Sequence, residues 1–502
     1  MNHISLGLAD WLKRRTALFG TCLVSIIATG IIILSVAKIV RQSSAAWPLD
    51  PWEAAVTTVA ARVAQGEPMY SRLDQPGSIE PGLYSPLQPL VLAGIFRVWE
   101  PSFLPARAIN LAAGVIFITF IVVSLRLHRN PGTAAFSVAV LLVLDRQLTG
   151  LWDFPRGDAV ALLLCLAYLA CAYRACRKNS LPFAVLAHGA LLAGLFWKQT
   201  ALAVAPAAFL GALVTPGCAP RMRKIFFFCP PLAVAAAVLA VKTLSPNLFE
   251  MMFALGGKYA ISPRYFALFA YAALLFTPLF WMVFGWALSQ RALAVPTSLK
   301  LRWSLVVALS AFPLDLLAAA KVGGGANSLA HVYYALGIAC LCYTNPLFAF
   351  IQTPAIQPLK RLAFAACLAA AMAVQWTSVL HPPSRVKNNR PFGDSGREVV
   401  IRFARDLPGK VISPQDPTIA FEAKGYSGVA LANEWDHHLW KWPLPKVSRE
   451  ISEADYVITW GEPNTWQTWM FDSGLELLSE LGYSPVKIPG LGQSRYQIWH
   501  RH

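Results

Sequence analysis

Charged side chains are scarce in this chain of 502 residues. Aspartate, glutamate, lysine and arginine together make up 14% of it, against roughly 25% in soluble globular domains. Hydrophobic residues make up 56%, and the mean hydropathy is +0.49. This composition excludes an ordinary soluble protein and predicts an integral membrane protein.

The sequence also lacks three patterns that would point to other protein classes. Its nine cysteines lie in apolar runs or beside basic clusters, so no disulfide framework and no metal-type Cys/His spacing is predicted. No internal repeat stands out. A transporter or lipid flippase is therefore a weaker prediction, because many secondary transporters are built from two related halves.

Charge of one sign dominates, because the formal net charge is +17. The basic residues fall in short clusters between apolar runs, which is typical of cytoplasmic loops and does not favour nucleic-acid binding. A basic patch at residues 13–15 precedes an apolar run over 17–40. That run is too long for a cleaved signal peptide and predicts a signal anchor with a cytoplasmic N-terminus.

Hydropathy predicts a polytopic α-helical membrane protein with about eleven spans. Residues 181–215 are interpreted as two short spans with Lys198 at the turn between them, and residues 84–99 as a juxtamembrane or re-entrant helix. Every basic cluster then lies on the cytoplasmic side. The predicted spans cover residues 17–40, 105–125, 133–152, 158–174, 181–215 (two spans), 225–243, 266–287, 303–320, 329–344 and 362–380.

Two regions are predicted from the change in composition near residue 380. Residues 1–380 form the transmembrane catalytic domain, and its first outer loop, 41–104, carries juxtamembrane helices. Residues 381–502 alternate helix-like and strand-like runs and predict a small extracytoplasmic α/β domain. The protein is therefore expected in the bacterial inner membrane, with its C-terminal domain in the periplasm.

The first outer loop opens with a strong helix-start pattern. Asp50 can cap a helix, Pro51 suits the first position, and Glu53 follows as in a capping box. Trp52, Val56, Val59 and Val63 form an apolar stripe suited to a membrane surface. A well-capped interfacial helix is one interpretation, and a site for two carboxylates is the other.

Five polar patches fall on the outer side by parity. Each patch also has a purely structural interpretation. Asp158 can cap a helix, Arg156 and Lys198 can reach the lipid headgroups, and His331 can be a structural histidine. The separate alternatives do not explain why acids and bases share one membrane face. The patches contain Asp50 and Glu53; Asp153, Arg156 and Asp158; Lys198; Lys258 and Arg264; and Lys321, Asn327 and His331.

Separated carboxylates beside several cations suit transfer of a sugar from a lipid phosphate. A base must take the proton from the acceptor hydroxyl, whereas the departing lipid phosphate needs cations. Asp50 and Asp158 would supply the carboxylates. The cations that would hold the phosphate are Arg156, Lys198, Lys258, Arg264 and Lys321.

Several short motifs, in this order, resemble the GT-C class of polytopic glycosyltransferases, which use dolichyl- or polyprenyl-phosphate sugars and include protein mannosyltransferases and aminoarabinose transferases. The resemblance covers about residues 15–345. The motifs are Asp50-Pro-Trp-Glu53, Gly66-Glu-Pro-Met-Tyr70, Tyr84-Ser-Pro-Leu-Gln-Pro-Leu, Arg156-Gly-Asp158, Trp197-Lys-Gln-Thr and Lys321-Val-Gly-Gly-Gly-Ala-Asn.

The resemblance implies roles for these residues. Asp50 would be the base or acceptor-orienting acid, with Glu53 as its rival, because relatives carry two adjacent acids that Pro51 and Trp52 separate here. Asp158 would be the second acid, with Asp153 as a weaker candidate. The site would also be lined by Tyr84, Gln88, Asn327 and His331.

The predicted function is inverting transfer of a sugar from a polyprenyl-phosphate donor to a hydroxyl of a glycolipid, polysaccharide or protein. No nucleotide sugar or other cofactor is expected. Some GT-C members bind a divalent cation, but no ligand set for one stands out in this sequence. The alternatives are a transporter or lipid flippase, and a non-catalytic scaffold that presents the C-terminal domain.

Overall fold

The structure is a computed structural model that describes most of the chain. The described residues are 2–45, 48–49, 51–70, 85–148, 157–254, 260–275, 277–290, 298–321, 324–353, 356–377, 396–414, 416–425, 451–460, 478–491 and 496–502.

Helices make up most of the described residues up to residue 377. The first half of the region contains α1 (Asn2–Ser43), α2 (Pro51–Ala64), α3 (Leu87–Phe96), α4 (Leu104–Ser124), α5 (Pro131–Gln147), α6 (Asp158–Lys178), α7 (Leu181–Trp197) and α8 (Ala205–Val214). The second half contains α9 (Pro220–Leu244), α10 (Pro246–Phe249), α11 (Pro263–Leu275), α12 (Pro278–Ser289), α13 (Leu299–Ala320), α14 (Ala330–Leu341), α15 (Thr344–Gln352) and α16 (Pro358–Thr377).

Seven stretches of helix in the described part of the chain are long and apolar enough to cross a membrane. They are Arg14–Ser43, Leu104–Ser124, Asp158–Lys178, Pro220–Leu244, Leu299–Ala320, Ala326–Gln352 and Pro358–Thr377. Shorter apolar helices lie at Leu87–Phe96, Leu181–Trp197, Gln199–Val214 and Pro278–Ser289. The chain is a polytopic α-helical membrane protein, and the count of eleven spans stays a prediction.

One predicted span is interrupted. The continuous helix expected over 266–287 is instead two helices, because α11 ends at Leu275 and α12 begins at Pro278. A proline lacks the N–H that would bond to the preceding turn, and its ring clashes with that turn's carbonyl. Pro278 is tolerated at the first position of α12, where no such bond is needed.

The turn expected at Lys198 is present. Helix α7 ends at Trp197, and Lys198 has extended backbone angles (φ −161°, ψ 128°) before a 3-10 helix, Gln199–Val204, leads into α8. Helix α3 (Leu87–Phe96) confirms the short helix expected within 84–99.

Helix α2 begins at Pro51, as the capping pattern predicts. Two residues of its apolar stripe, Val56 and Val59, are buried within the protein. Val56 packs in a buried cluster with Leu92 and Phe96 of α3, and Phe421 of the C-terminal region packs against the same cluster. The sequence pattern therefore identified the apolar face but not the protein elements that cover it.

The C-terminal region is a small α/β unit, as predicted. Four strands form one sheet in the order β1-β2-β4-β3, with β1 parallel to β2 and the other pairs antiparallel. The elements are the helices α17 (Arg397–Asp406) and α18 (Pro417–Lys424) and the strands β1 (Val411–Ile412), β2 (Tyr456–Trp460), β3 (Tyr483–Val486) and β4 (Tyr496–Arg501).

This unit contacts the first outer loop through α18. Phe421 reaches the cluster on α2 and α3, and the Arg397 guanidinium lies 5.9 Å from the centre of the Phe103 ring. Arg397 is fixed by hydrogen bonds to Asp416 (3.1 Å) and Glu422 (2.8 Å). The two regions are therefore packed against each other beside the loop that carries the first predicted acids.

Candidate functional site

Three residues that the sequence singled out separately meet in the structure. The Lys198 ammonium donates a hydrogen bond to Oδ1 of Asp158, and the Asn327 amide nitrogen lies 3.4 and 3.3 Å from the two Asp158 oxygens. The Asp158 side chain is 7% exposed and that of Lys198 is 14% exposed. An acid, a cation and an amide from distant parts of the chain thus form one polar cluster, called here the Asp158 cluster.

The positions of these side chains follow from local backbone geometry. Asp158 is the first residue of α6 and follows Gly157, whose φ of +77° lies in the left-handed region that favours glycine. Lys198 occupies the extended residue between α7 and the 3-10 helix. Each side chain therefore projects from a helix end, where polar groups concentrate in a membrane protein.

Asn327 is positioned by the glycine-rich loop that precedes it. A Cβ added to Gly324 would lie 2.5 Å from the carbonyl oxygens of Ala318 and Ala319. Only glycine allows the chain to fold back this closely on the end of α13. The loop then enters a 3-10 helix, Ala326–Leu329, which carries Asn327.

Lys321 and Arg264 lie on two segments that are hydrogen-bonded together. Ile261 and Lys321 form an isolated antiparallel bridge, and the Ser262 N–H donates to the Ala320 carbonyl at 2.9 Å. Burial lowers the pKa of Lys321 from the ordinary lysine value. Arg264 is exposed at the start of α11.

Glu53 is held in a buried ion pair. Its two carboxylate oxygens accept hydrogen bonds from Arg107 Nε (2.7 Å) and Nη2 (2.9 Å), and both side chains are at most 2% exposed. The Leu49 N–H also donates to Glu53. Arg107 further donates to the backbone carbonyls of Gln42, Ser43 and Ala45. Glu53 is thus engaged by protein groups at both oxygens.

Gln88 lies beside Gly157 and the end of α7. A Cβ added to Gly157 would meet Oε1 of Gln88 at 2.7 Å and Nε1 of Trp197 at 3.1 Å. The neighbouring Ser85 hydroxyl donates to the Leu195 carbonyl at 3.0 Å. The first outer loop therefore reaches the residues that flank Asp158 and Lys198.

The indole of Trp197 carries an unsatisfied donor. Its side chain is buried (8% exposed), and Nε1 has no hydrogen-bond partner among the residues that the structure describes. A buried N–H without a partner costs about 1–3 kcal/mol. Such a group immediately before Lys198 is a candidate for binding a ligand oxygen.

His331 lies deeper than the Asp158 cluster, at the start of α14. Its Nδ1 lies 2.9 Å from Oδ1 of Asp315, and its Nε2 lies 3.6 Å from Sγ of Cys165. The second Asp315 oxygen accepts a hydrogen bond from the Val332 N–H at 3.0 Å. His331 is therefore engaged on both ring nitrogens, and the placement favours a supporting role over contact with substrate.

Four predicted site residues lie outside the described part of the chain. They are Asp50, Tyr84, Arg156 and Lys258. The weaker candidate Asp153 also lies outside the described residues. Their neighbours Leu49, Ser85 and Gly157 are described and have the contacts given above. In the described ranges, no group of three or more His, Cys, Asp or Glu side chains is placed to hold a metal ion.

Sequence reasoning missed Arg107 and Cys165. Arg107 lies near the start of a predicted span, and an ionisable residue in such a run is a functional or structural signal in itself. Cys165 carried no comparable signal, because a cysteine in an apolar run is among the commonest buried residues.

Comparison with known proteins gives the fold. No protein-family model and no curated protein matches the sequence. The structure is similar to that of ArnT from Cupriavidus metallidurans bound to undecaprenyl phosphate, with a TM-score of 0.55, 14% sequence identity and coverage of 94% of this chain and 98% of that one. The apo structure of the same ArnT gives a TM-score of 0.52 with the same identity and coverage.

ArnT is a GT-C glycosyltransferase, and the match extends over almost the full length of both chains. The resemblance drawn from the sequence motifs is thus confirmed at the level of the fold. This protein has the GT-C fold of the membrane glycosyltransferases, with a small C-terminal α/β unit.

Proposed function

We propose that the protein is a glycosyltransferase that moves a sugar from a polyprenyl phosphate to an acceptor hydroxyl, with inversion. The observation that carries the proposal is the Asp158 cluster, an acid, a cation and an amide brought together on an ArnT-like fold. The ArnT structure with undecaprenyl phosphate supports a polyprenyl-phosphate donor.

In the proposed reaction, the acceptor oxygen attacks the anomeric carbon as the bond from that carbon to the phosphate oxygen breaks. The electron pair of that bond leaves with the lipid phosphate, and a carboxylate takes the proton of the acceptor hydroxyl. Lipid phosphate is a stable anion, so cations rather than a general acid favour its departure.

Asp50 and Asp158 are the proposed carboxylates. Asp158, paired with Lys198, would orient the reacting groups or accept the proton. Glu53, the rival of Asp50, is held by Arg107 and the Leu49 N–H, which supports a positioning role for it. Because Leu49 and Pro51 flank Asp50 in the chain, the Glu53–Arg107 pair would hold the backbone on which Asp50 lies.

Lys198, Lys321 and Arg264 are proposed to bind the donor phosphate, together with Arg156 and Lys258. Lys321 suits this role because it is half-buried at the end of α13, where a phosphate would restore the solvation that the ammonium has lost. Tyr84, Gln88 and Asn327 would line the sugar end of the site.

Trp197 and Gln88 offer complementary groups for a sugar hydroxyl. A hydroxyl can accept a hydrogen bond from the indole N–H and donate one to an amide oxygen. A phosphate oxygen could use only the first of these. We therefore assign the Trp197 N–H to a hydroxyl of the transferred sugar.

The proposed setting is the bacterial inner membrane, with the site facing the periplasm. The acceptor would be a glycolipid, a polysaccharide or a protein. The contact of α18 with α2 and α3 supports a role for the C-terminal unit in holding the acceptor.

The proposal is tested with purified protein reconstituted in lipid and a panel of undecaprenyl-phosphate-linked sugars. We expect transfer by the wild type and a loss of about 100-fold or more in kcat for Asp158→Asn. The matched control is Glu100→Gln, which neutralises an exposed acid. Transfer by Asp158→Asn at the control's rate would refute the site.

A separate measurement tests donor binding. Undecaprenyl phosphate should raise the thermal unfolding temperature of the wild type, because a ligand that binds the native state stabilises it. Lys198→Met should weaken this shift. A wild-type protein that neither binds the lipid nor transfers any sugar of the panel would refute the proposed function.

A further inference from the structure

A buried polar network lies one to two helical turns along the chain from members of the Asp158 cluster. It consists of Asp315 on α13, His331 on α14 and Cys165 on α6, and is called here the Asp315 network. Asp315 is 1% exposed, Cys165 is 3% exposed and His331 is 6% exposed. Polar side chains so deeply buried in a membrane protein are costly unless each has a partner.

Every member of the network has such a partner. Asp315 accepts from His331 Nδ1 (2.9 Å) and from the Val332 N–H (3.0 Å). His331 Nε2 faces Cys165 Sγ at 3.6 Å, and Sγ also lies 3.8 Å from the Ala201 carbonyl. The network therefore crosses from α13 through α14 and α6 to the 3-10 helix Gln199–Val204.

These four elements carry or adjoin four residues of the proposed site, Asp158, Lys198, Lys321 and Asn327. Helix α13 ends immediately before Lys321, and the 3-10 helix before α14 carries Asn327. Helix α6 begins with Asp158, and the 3-10 helix Gln199–Val204 follows Lys198. His331 is four residues after Asn327, and Cys165 is two helical turns after Asp158.

The donor and acceptor groups of Asp315, His331 and Cys165 fix the direction of each hydrogen bond for each protonation state of the histidine ring. An ionised carboxylate only accepts, so Nδ1 of His331 carries a proton and Nε2 of the neutral ring accepts the Cys165 S–H. When the ring is protonated, Nε2 donates to Sγ, and the S–H is released to the Ala201 carbonyl. The thiol thus bridges the histidine and the segment after Lys198 in either state.

We propose that the Asp315 network is the positioning device of the transferase, holding Asn327 and Lys198 in register around Asp158. The inference rests on the proposed function for its catalytic readout, but the coupling itself is a property of the fold. A buried network whose members are all hydrogen-bonded rigidifies the helices that it joins and specifies one arrangement of them.

The test compares variants of the network with a matched thiol deletion. Cys165→Ala and His331→Gln should lower kcat about 10- to 100-fold, because small displacements of reacting groups cost this much. The KM for the lipid donor should change by less than about twofold, since no phosphate contact is lost. Cys340→Ala, which removes another buried thiol on α14, should keep the wild-type kcat.

A conservative variant separates the network from simple packing. Cys165→Ser keeps a hydroxyl that can donate and accept, so its kcat should stay within about threefold of the wild type. A Cys165→Ser protein as impaired as Cys165→Ala would overturn the proposal, as would an equal loss in Cys340→Ala.

A double-mutant cycle with Asn327→Ala tests whether the network acts through the Asp158 cluster. If it does, His331→Gln should lower kcat much less in the Asn327→Ala background than in the wild type. Equal losses in both backgrounds would refute the link.

The same cycle on thermal unfolding temperatures is independent of catalysis. It should also be non-additive if His331 holds Asn327 in place, because physically coupled residues are non-additive in stability. Additive shifts would refute the link between the network and the Asp158 cluster even in an active enzyme. Non-additive shifts in a protein without transferase activity would leave the network standing and refute only the proposed function.

Discussion

Arg107 donates to both carboxylate oxygens of Glu53, at 2.7 and 2.9 Å, across the first outer loop. The remaining guanidinium nitrogen binds three backbone carbonyls between residues 42 and 45. A single arginine therefore joins the end of α1, the start of α2 and the start of α4. This pair therefore joins described residues on both sides of Asp50.

We predict that Arg107→Ala lowers the free energy of unfolding more than Glu53→Gln does. Arg107→Ala leaves a buried carboxylate without its partner and should destabilise the protein by about 3–5 kcal/mol. Glu53→Gln keeps an acceptor and should cost less. Thermal unfolding in detergent measures both, and equal shifts would contradict the prediction.

Glu53→Gln and Asp50→Asn together distinguish a general base from a positioning residue. If Glu53 only holds the loop, Glu53→Gln should retain at least about a tenth of the wild-type kcat, whereas loss of a general base costs about 10²- to 10⁴-fold. Asp50→Asn provides the comparison. Abolished transfer in Glu53→Gln with full transfer in Asp50→Asn would exchange their roles.

Lys198 and Asp158 should be coupled in stability but not in activity. Lys198→Met leaves the nearly buried Asp158 carboxylate unpaired and should destabilise the protein strongly. The double variant Lys198→Met, Asp158→Asn removes the stranded charge and should recover most of the unfolding temperature. Transfer should remain absent in the double variant, and recovery of both quantities would contradict the assignment.

Lys321 predicts a pH dependence of donor use. Burial disfavours its charged form, so its pKa is lowered, and the ammonium loses its proton at a lower pH than an ordinary lysine does. Because the charged form binds phosphate, kcat/KM for the donor should fall as the pH rises through that lowered pKa. Lys321→Arg, which stays protonated, should lose this alkaline limb, and an unchanged profile would contradict the prediction.

Trp197 predicts a change in sugar preference. Trp197→Phe keeps the ring but removes the N–H, and one hydrogen bond to a neutral group is worth about 0.5–1.5 kcal/mol. We expect kcat/KM to fall about 3- to 10-fold for the preferred sugar and to be unchanged for the analogue that lacks the contacted hydroxyl. The KM for the acceptor separates this case from a contact with the acceptor hydroxyl, which would raise that KM instead.

The convergence of Asp158, Lys198 and Asn327 was predictable. Hydropathy and the positive-inside rule predict that all three lie at span ends on the same side of the membrane. The partner of Glu53 was not predictable, since Arg62, Arg97 and Arg107 all lie near the loop in sequence and only packing selects one. Pairing across 54 residues leaves no periodic signal.

The break before Pro278 is a second feature that the local sequence does not predict. Pro313 lies inside the continuous helix α13, whereas Pro278 begins a new helix after Thr277. In a continuous helix either proline would remove one backbone hydrogen bond, so the local cost alone does not predict which helix is interrupted. Packing against neighbouring helices determines which of the two helices stays continuous, and the local sequence does not contain that information.

Gly157 limits how this fold can change its substrate. Its positive φ disfavours any side chain, and an added Cβ would displace the Gln88 amide and crowd the Trp197 indole. New sugar preferences would therefore have to arise through substitutions of Gln88 and Trp197. Relatives with different sugar substrates should differ at these two positions and keep glycine at position 157.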